Sequence, residues 1–239
     1  MDNPSTTITQ RLAALLTALK RQDVASNWAD HNWLEEGLIA VSKKQPTTAI
    51  REAAAAGVKH FGENYVQEAA QKAAAGAYAG ATLHLIGPLQ SNKARQAVGL
   101  FDVIHTVDSA KLASKLDTAA AERGKTITVF IQVNVANEAQ KSGIAPQELP
   151  ALVTHIQTLS QLHLVGLMTV PPAGEDPVPH FKALAALAKE HHLPRLSMGM
   201  SSDWQQALAC GATDLRIGTA LFGPRPTTTP PTTAPVEHQ

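Results

Sequence analysis

Residues 38–46 are LIAVSKKQP, an apolar run that ends at Ser42 and Lys43 and is followed by a proline. The apolar run predicts a buried strand and the residues after Pro46 predict a helix, which is typical of one βα unit. In a βα-barrel, chemistry is carried at the C-terminal ends of the strands. An amine at such a position can form a Schiff base with a carbonyl cofactor. A lysine at a strand end is much more often simply solvated, so this stretch alone does not decide between the two roles.

Strand-like and helix-like segments alternate along the rest of the chain. The predicted strands are the apolar runs 38–42, 58–62, 82–86, 103–107, 127–135, 162–170, 196–198 and 213–217. The predicted helices are 8–24, 47–56, 65–75, 91–99, a helix from Asp108 as N-cap to about Arg123, 146–160, 181–192 and 202–210, with a further turn over 219–222. Continuous apolar strands are typical of parallel sheets buried on both faces. Eight strands alternating with helices predict a single (β/α)8 TIM barrel with an N-terminal helix, rather than an open doubly wound sheet.

The composition excludes several classes of protein. The chain has 239 residues, 44 % of them apolar, and no net charge, so it can bury a large core but offers no basic surface to nucleic acid or to a membrane. Its one cysteine, Cys210, is expected to be a small buried residue, and a single cysteine suits a reducing compartment. With neither a secretory N-terminus nor an apolar run long enough to span a bilayer, a cytoplasmic protein is expected.

Two predicted loops at the C-terminal rim suggest an anion site. Ser201 precedes one helix, and Gly218-Thr219 begins another, so backbone amides at helix N-termini would face the rim. In βα-barrels a phosphate is often bound by the loops after strands seven and eight. The alternative is that Ser201 and Thr219 only cap their own helices, since both are favoured N-cap residues.

Arg216 lies inside the last apolar strand, and a buried arginine needs a partner. One interpretation is a structural ion pair with Asp214 or Asp203. The other is an arginine that faces the nitrogen of a pyridine ring and keeps it unprotonated. Among the histidines, His84 is expected to be packed and hydrogen bonded, and the pair His191-His192 lacks the further ligands of a metal site.

The polar residues at these strand ends occur in recognisable strings. They are 40–43 AVSK, 61–68 FGENYVQE, 84–93 HLIGPLQSNK, 141–143 KSG, 166–168 GLM, 197–201 SMGMS with Asp203, and 216–219 RIGT followed by Phe222-Gly223. Taken together, they resemble the pyridoxal 5′-phosphate homeostasis protein family and, more distantly, the barrel domain of alanine racemase. The strings span residues 40–223, so the resemblance covers nearly all of the predicted barrel.

The resemblance implies a cofactor, pyridoxal 5′-phosphate, and a role for each matching residue. Lys43, rather than Lys44, is similar to the Schiff-base lysine, and Arg216 to the partner of the ring nitrogen. The remaining implied cofactor-binding residues are Ser201, Gly218 and Thr219 at the phosphate and Asn64, Met168 and Ser197 on the pocket wall. The implied function is homeostasis of the cofactor and its delivery to apoenzymes that depend on it, and we expect a monomer.

Two other functions stay open at this point. The first is a pyridoxal-phosphate-dependent amino-acid racemase of low activity. Racemisation needs bases on both faces of the substrate, and alanine racemase has a second domain and a tyrosine from the partner subunit. Here the barrel is expected to end near Gly223, and the sequence suggests only Lys43 as a base beside the two tyrosines Tyr65 and Tyr78. The second is a barrel that binds another phosphorylated small molecule, with Lys43 as an ion-pair donor.

We assign residues 1–225 to the barrel and predict that 226–239, PTTTPPTTAPVEHQ, form a disordered tail. Val236 is the one clear core-forming residue of this segment, so the tail lacks the apolar surface needed to offset the entropy of ordering it. A chain that ends at Arg225 should keep the melting temperature and cofactor affinity of the full chain. A large loss of thermal stability on truncation would contradict this prediction.

Overall fold

The protein is described by a computed structural model that covers residues 6–21, 32–138 and 140–224. Within them, eight parallel strands close into a barrel in chain order, with the last strand paired to the first. The strands are β1 Leu38–Val41, β2 His60–Glu63, β3 Thr82–Leu85, β4 Val103–Val107, β5 Ile127–Gln132, β6 Leu162–Met168, β7 Arg195–Met200 and β8 Asp214–Ile217. The predicted (β/α)8 barrel is therefore confirmed. The predicted tail 226–239 and residues 22–24 of the first predicted helix lie outside the described residues.

Helices connect the strands and cover the outside of the barrel. They are α1 Ile8–Arg21, α2 Trp33–Glu36, α3 Thr47–Ala55, α4 Val66–Ala74, α5 Ala94–Val98, α6 Ala110–Ala121, α7 Leu149–Gln157, α8 Val178–Glu190, α9 Trp204–Ala209 and α10 Thr219–Phe222. Helix α1 buries Ile8, Leu12, Leu15 and Leu19, which lie on one face at helical spacing. This face packs against α3 and α10, the helices that follow β1 and β8. In the described residues, no helix is long and apolar enough to cross a membrane.

Several predicted boundaries were wrong, for local physical reasons. Strand β5 ends at Gln132 rather than at residue 135, because the chain turns there and Val133 forms a single bridge with Ile144. Helix α6 is capped by Ser109, whose hydroxyl accepts a hydrogen bond from the Leu112 amide at 3.3 Å, and not by Asp108.

Two further expectations needed correction. The one-turn helix α2 was not predicted, since four residues carry no periodic signal. Cys210 is half-buried rather than buried, because it lies at the C-terminal end of α9, near the protein surface.

A hydrogen-bonded chain of polar side chains crosses the barrel interior. Its members, in order, are His60, His84, His105, Ser197 and Arg216, with successive distances of 3.0, 2.9, 2.9 and 2.7 Å. The bond from His105 on β4 to Ser197 on β7 joins strands that are not neighbours, so it must pass through the inside of the barrel. His84 is thus packed and hydrogen bonded, as predicted, and the His105 ring also stacks on Phe130 with centroids 4.3 Å apart.

Strand β7 contains an irregularity that shapes the rim above it. Its pairing with β8 shifts register between Ser197 and Met200, and Gly199 within this segment has a φ of +92°. A Cβ atom at Gly199 would lie 2.6 Å from the Cβ of Ala207 and 2.9 Å from a methyl of Leu215. Glycine is therefore required here both for its backbone conformation and for the close approach of α9.

Replacing Gly199 by alanine should lower the free energy of unfolding by about 2–5 kcal/mol, because strain in φ adds to the steric overlap. Gly174 is a matched control, since it has a φ of +85° but no atom lies within 4 Å of the position that an added methyl group would take. Gly174→Ala should cost only about 1 kcal/mol. Urea denaturation of both variants measures the difference, and equal losses would show that the packing of Gly199 is unimportant.

Stability should also decrease as the pH is lowered. Burial, followed by neighbouring groups such as Arg195, lowers the pKa of both His84 and His105 well below the ordinary value. In the unfolded chain both rings take up protons below about pH 6.5, whereas the folded protein keeps them neutral. Between pH 6.5 and 5.5 the two histidines together should reduce the free energy of unfolding by about 2 kcal/mol. Denaturation at these two pH values tests this, and His163→Asn, at an exposed histidine, should not alter the loss. Unchanged stability over the interval would contradict the prediction.

Candidate functional site

A cavity of about 560 Å³ opens at the C-terminal rim of the barrel. This volume lies in the range of about 300–1,000 Å³ that is usual for small-molecule sites. Six of the eight predicted site residues line it: Lys43, Asn64, Ser201, Arg216, Gly218 and Thr219. Its other walls are Val41, Ile86, Val170, Met200 and Ser202. Residues far apart in the sequence are thus brought together by the ends of successive strands.

The other two predicted residues lie beneath the cavity rather than on its wall. Ser197 is fully buried, because its hydroxyl is enclosed between Arg216 and His105. Met168 packs with Phe130 in a small apolar cluster inside the barrel. Ser197 thus supports Arg216 from below, and neither Ser197 nor Met168 is among the residues that line the cavity.

The turn after β1 separates the two neighbouring lysines. The Ser42 amide donates to the Gly62 carbonyl at 2.9 Å, and the Gln45 amide donates back to the Ser42 carbonyl at 3.0 Å. Between them Lys44 has a φ of 59°, which turns the chain sharply. As a result Lys43 is half-buried on the cavity wall, whereas Lys44 is exposed to solvent.

This turn is anchored from below by Glu63, whose carboxylate has no exposed surface. One carboxylate oxygen accepts hydrogen bonds from the Ser42 hydroxyl at 2.7 Å, the Lys72 ammonium at 2.8 Å and the Tyr78 hydroxyl at 2.7 Å. The Lys72 ammonium also donates to the Ser42 carbonyl at 2.7 Å and to Glu68 at 2.7 Å. The network ties β1, β2 and α4 together and fixes the backbone next to the cavity lysine.

Neither tyrosine is placed to act as a base in the cavity. Burial, and then the charge of Glu63 beside it, strongly raises the pKa of Tyr78, so its hydroxyl remains protonated. The Tyr65 side chain is 53 % exposed and is not among the residues that line the cavity. Sequence reasoning missed Glu63 and Lys72, although a charged residue at a strand end and the Glu68–Lys72 spacing of four were visible signals.

The two loops of the predicted anion site are joined to each other. The Ser201 hydroxyl accepts hydrogen bonds from the amides of Gly218 and Ala220, both at 3.2 Å. Ser201 therefore caps the first turn of α10, the helix that follows β8, rather than its own helix. A Cβ atom at Gly218 would lie 3.6 Å from the Cβ of Val41 on the neighbouring strand β1, which is an ordinary packing distance.

Arg216 forms the floor of the cavity as a buried cation. Its side chain donates to the Ser197 hydroxyl at 2.7 Å and to the Thr169 carbonyl at 2.8 Å. Burial lowers the pKa of Arg216 to about 10, against the opposing effect of Asp203 and Asp214, so the group stays charged at neutral pH.

The carboxylates that the sequence suggested as partners of Arg216 are engaged elsewhere. Asp214 is paired with Arg195, and Asp203 accepts from the Met200 amide. Within residues 6–21, 32–138 and 140–224, no carboxylate lies at ion-pair distance from Arg216. The floor of the cavity therefore carries a positive charge that only neutral oxygen atoms contact, which suits an electron-rich ligand.

Asn64, which lines the cavity, also carries a polar atom without a partner. Its side-chain oxygen is buried and has no hydrogen-bond partner in the described part of the chain. A buried acceptor without a partner is costly, and such groups are uncommon unless a ligand or water completes them. Metal binding has no such support, since the described residues contain no group of three or more histidine, cysteine, aspartate or glutamate side chains that could hold an ion.

Comparison with known proteins gives the same family throughout. The family model for the alanine racemase N-terminal domain matches residues 21–226. The chain is 43 % identical over 224 residues to the pyridoxal phosphate homeostasis protein of Pseudomonas aeruginosa, an alignment that covers 92 % of this chain and 96 % of the relative. It is 42 % identical to the protein of the same name from Escherichia coli strain K12, over 79 % of this chain and 85 % of that one.

Solved structures agree with this assignment. PipY of Synechococcus elongatus PCC7942, in a structure with PLP bound, is 42 % identical and superposes with a TM-score of 0.77 over 91 % of this chain and all of PipY. Alanine racemase from Corynebacterium glutamicum, at 18 % identity and a TM-score of 0.68, shares the fold, and the alignment covers 61 % of that enzyme. The extent and identity of these matches place the chain in the pyridoxal phosphate homeostasis protein family.

Proposed function

We propose that this protein binds pyridoxal 5′-phosphate in the rim cavity and holds it, through a Schiff base on Lys43, for delivery to apoenzymes. The observation that carries the proposal is that Lys43, the Arg216 cation and the Ser201–Gly218 loops line one cavity. An amine, a hydrogen-bond donor and an anion-binding loop are the groups that an aldehyde, a pyridine nitrogen and a phosphate require. The PLP-bound structure of PipY, a relative of the same family, supports the choice of ligand.

Each residue has a role that its position supports. Lys43 supplies the amine, and Arg216 donates to the ring nitrogen from the floor. Ser201, Gly218 and Thr219 surround the phosphate, and the unpartnered oxygen of Asn64 is an acceptor for a polar group on the ring. Ser197 and Met168 act from beneath, Ser197 by holding Arg216 and Met168 by packing the barrel floor.

The surroundings of the cavity favour a carrier over a racemase. When bound, pyridoxal phosphate supplies an electron sink that can stabilise a carbanion, most effectively when its ring nitrogen is protonated. Arg216 can only donate a proton in a hydrogen bond, and it therefore leaves that nitrogen neutral. Among the described residues that line the cavity, Lys43 is the single side chain able to act as a base. We also expect the protein to work as a monomer in the cytoplasm.

Borohydride reduction tests the assignment of Lys43. The purified protein with pyridoxal phosphate should show an absorption band near the violet edge of the visible spectrum, and reduction should fix the mass of the cofactor on the peptide that contains Lys43. Lys43→Ala should remove both signals without lowering the melting temperature. Lys44→Ala is the matched control, because Lys44 is the exposed neighbour, and it should keep both signals.

Each alternative predicts a different result. A label on Lys44 or Lys93 would overturn the assignment of the lysine. Binding of phosphate esters without any visible band would favour a barrel for another phosphorylated ligand. Turnover across a panel of amino acids, lost in Lys43→Ala, would favour the racemase.

A further inference from the structure

The polar chain across the barrel has both of its ends fixed. At the cavity end, Arg216 can only donate hydrogen bonds. At the other end, the backbone carbonyl of Glu35, which lies 2.9 Å from Nε2 of His60, can only accept one. Every hydrogen bond in between must be consistent with both ends.

The Glu35 carbonyl determines the direction of each bond when the imidazoles are neutral. His60 must carry its proton on Nε2, so its Nδ1 accepts from Nε2 of His84, 3.0 Å away. Nδ1 of His84 then accepts from Nε2 of His105 at 2.9 Å. Nδ1 of His105 is left as an acceptor. Its hydrogen-bond partner in the described part of the protein is the Ser197 hydroxyl, at 2.9 Å.

We propose that His105 is a positioning residue for Arg216: as a neutral imidazole protonated on Nε2, it accepts the proton of the Ser197 hydroxyl. Ser197 then presents only lone pairs to the guanidinium, which donates to it at 2.7 Å. All the donors of the chain point the same way, from Arg216 towards Glu35. The inference rests on the proposed function only where it concerns the ligand that Arg216 meets.

The position of Ser197 below Arg216 explains why a neutral acceptor is needed at His105. The Ser197 hydroxyl has one proton. Without an acceptor at His105, that proton could turn towards the cavity or towards the guanidinium. With that proton held by His105, and with the second bond to the Thr169 carbonyl, two nitrogens of Arg216 are fixed from below. The remaining N–H groups are left for the cavity that Arg216 lines.

The far end of the chain opens onto a second cavity, of about 500 Å³, at the N-terminal ends of the strands. It is lined by residues of α2 and by residues at or near the first positions of several strands, among them Glu35, Glu36, His60, Thr82, His84 and Arg195. The chain therefore runs through the whole barrel, and His60 is the member that solvent reaches.

Two variants at position 105 separate positioning from packing. His105→Phe keeps the ring that stacks on Phe130 but cannot accept from Ser197. His105→Asn loses that ring but places an oxygen close to where Nδ1 was, so it can still accept. We expect His105→Phe to weaken binding of pyridoxal phosphate about tenfold, because Ser197 loses its acceptor and then holds Arg216 less well. His105→Asn should bind within about threefold of the native chain, although its melting temperature should be the lower of the two. Affinities that follow the order of the melting temperatures would overturn the proposal.

The second measurement needs no cofactor. Long-range proton–nitrogen correlation spectra of the ¹⁵N-histidine-labelled full chain at pH 7.5 should show His60, His84 and His105 as Nε2-protonated neutral rings, with exposed His163 as the reference. An Nδ1-protonated or charged ring at His105 would overturn the proposal even if the cofactor binds. Conversely, native protein that fails to bind pyridoxal phosphate would end the proposed function and leave the tautomer result standing. If His105→Phe does not fold, the spectra of the native chain and the His105→Asn affinity still decide.

Discussion

The burial of one positive charge inside the barrel constrains everything around it. Moving a guanidinium out of water is expensive unless good acceptors replace the lost hydration. Arg216 is 4 % exposed and is held by a hydroxyl and a backbone carbonyl rather than by a carboxylate. Burial, followed by neighbouring groups such as Arg195, lowers the pKa of His84 and His105, so both rings are kept neutral. The interior is therefore filled by neutral dipoles arranged around a cation, and the positive potential remains available at the cavity floor.

A negative charge, that of Glu63, is buried in a complementary arrangement under the first loop. One oxygen of Glu63 accepts from three donors, one of which, Lys72, also donates to the carbonyl of Ser42, the residue before Lys43. The two buried charges are therefore stabilised separately. Glu63 is paired with Lys72 under the first loop, and Arg216 is held by neutral oxygens under the last. Because neither network uses a cavity residue as its counter-charge, a ligand can enter or leave without breaking a buried ion pair.

The sequence predicted the barrel well because strands buried on both faces leave continuous apolar runs, such as 103–107, that need no knowledge of the partner. It also predicted that the candidate residues would meet at one rim, where six of them line the cavity, since strand ends share a rim in any barrel of this kind. Cross-strand contacts could not be predicted in this way. Asp214 is two residues from Arg216 in sequence, yet it pairs with Arg195 on the neighbouring strand β7, where its register partner is Ser197.

Local competition explains the remaining differences. Asp108 and Ser109 are both good N-cap residues, and only the path of the backbone decides that the serine reaches the Leu112 amide. Capping of its own helix was the alternative role for Ser201, but its hydroxyl instead accepts from the amides of Gly218 and Ala220 in the neighbouring loop. That same contact has a consequence for any anion that binds at this loop. An anion that takes the amides of Gly218 and Ala220 displaces an acceptor of the protein itself, and the Ser201 hydroxyl is there to recapture both donors as the anion departs. The amides of this loop therefore have an acceptor whether or not an anion is bound.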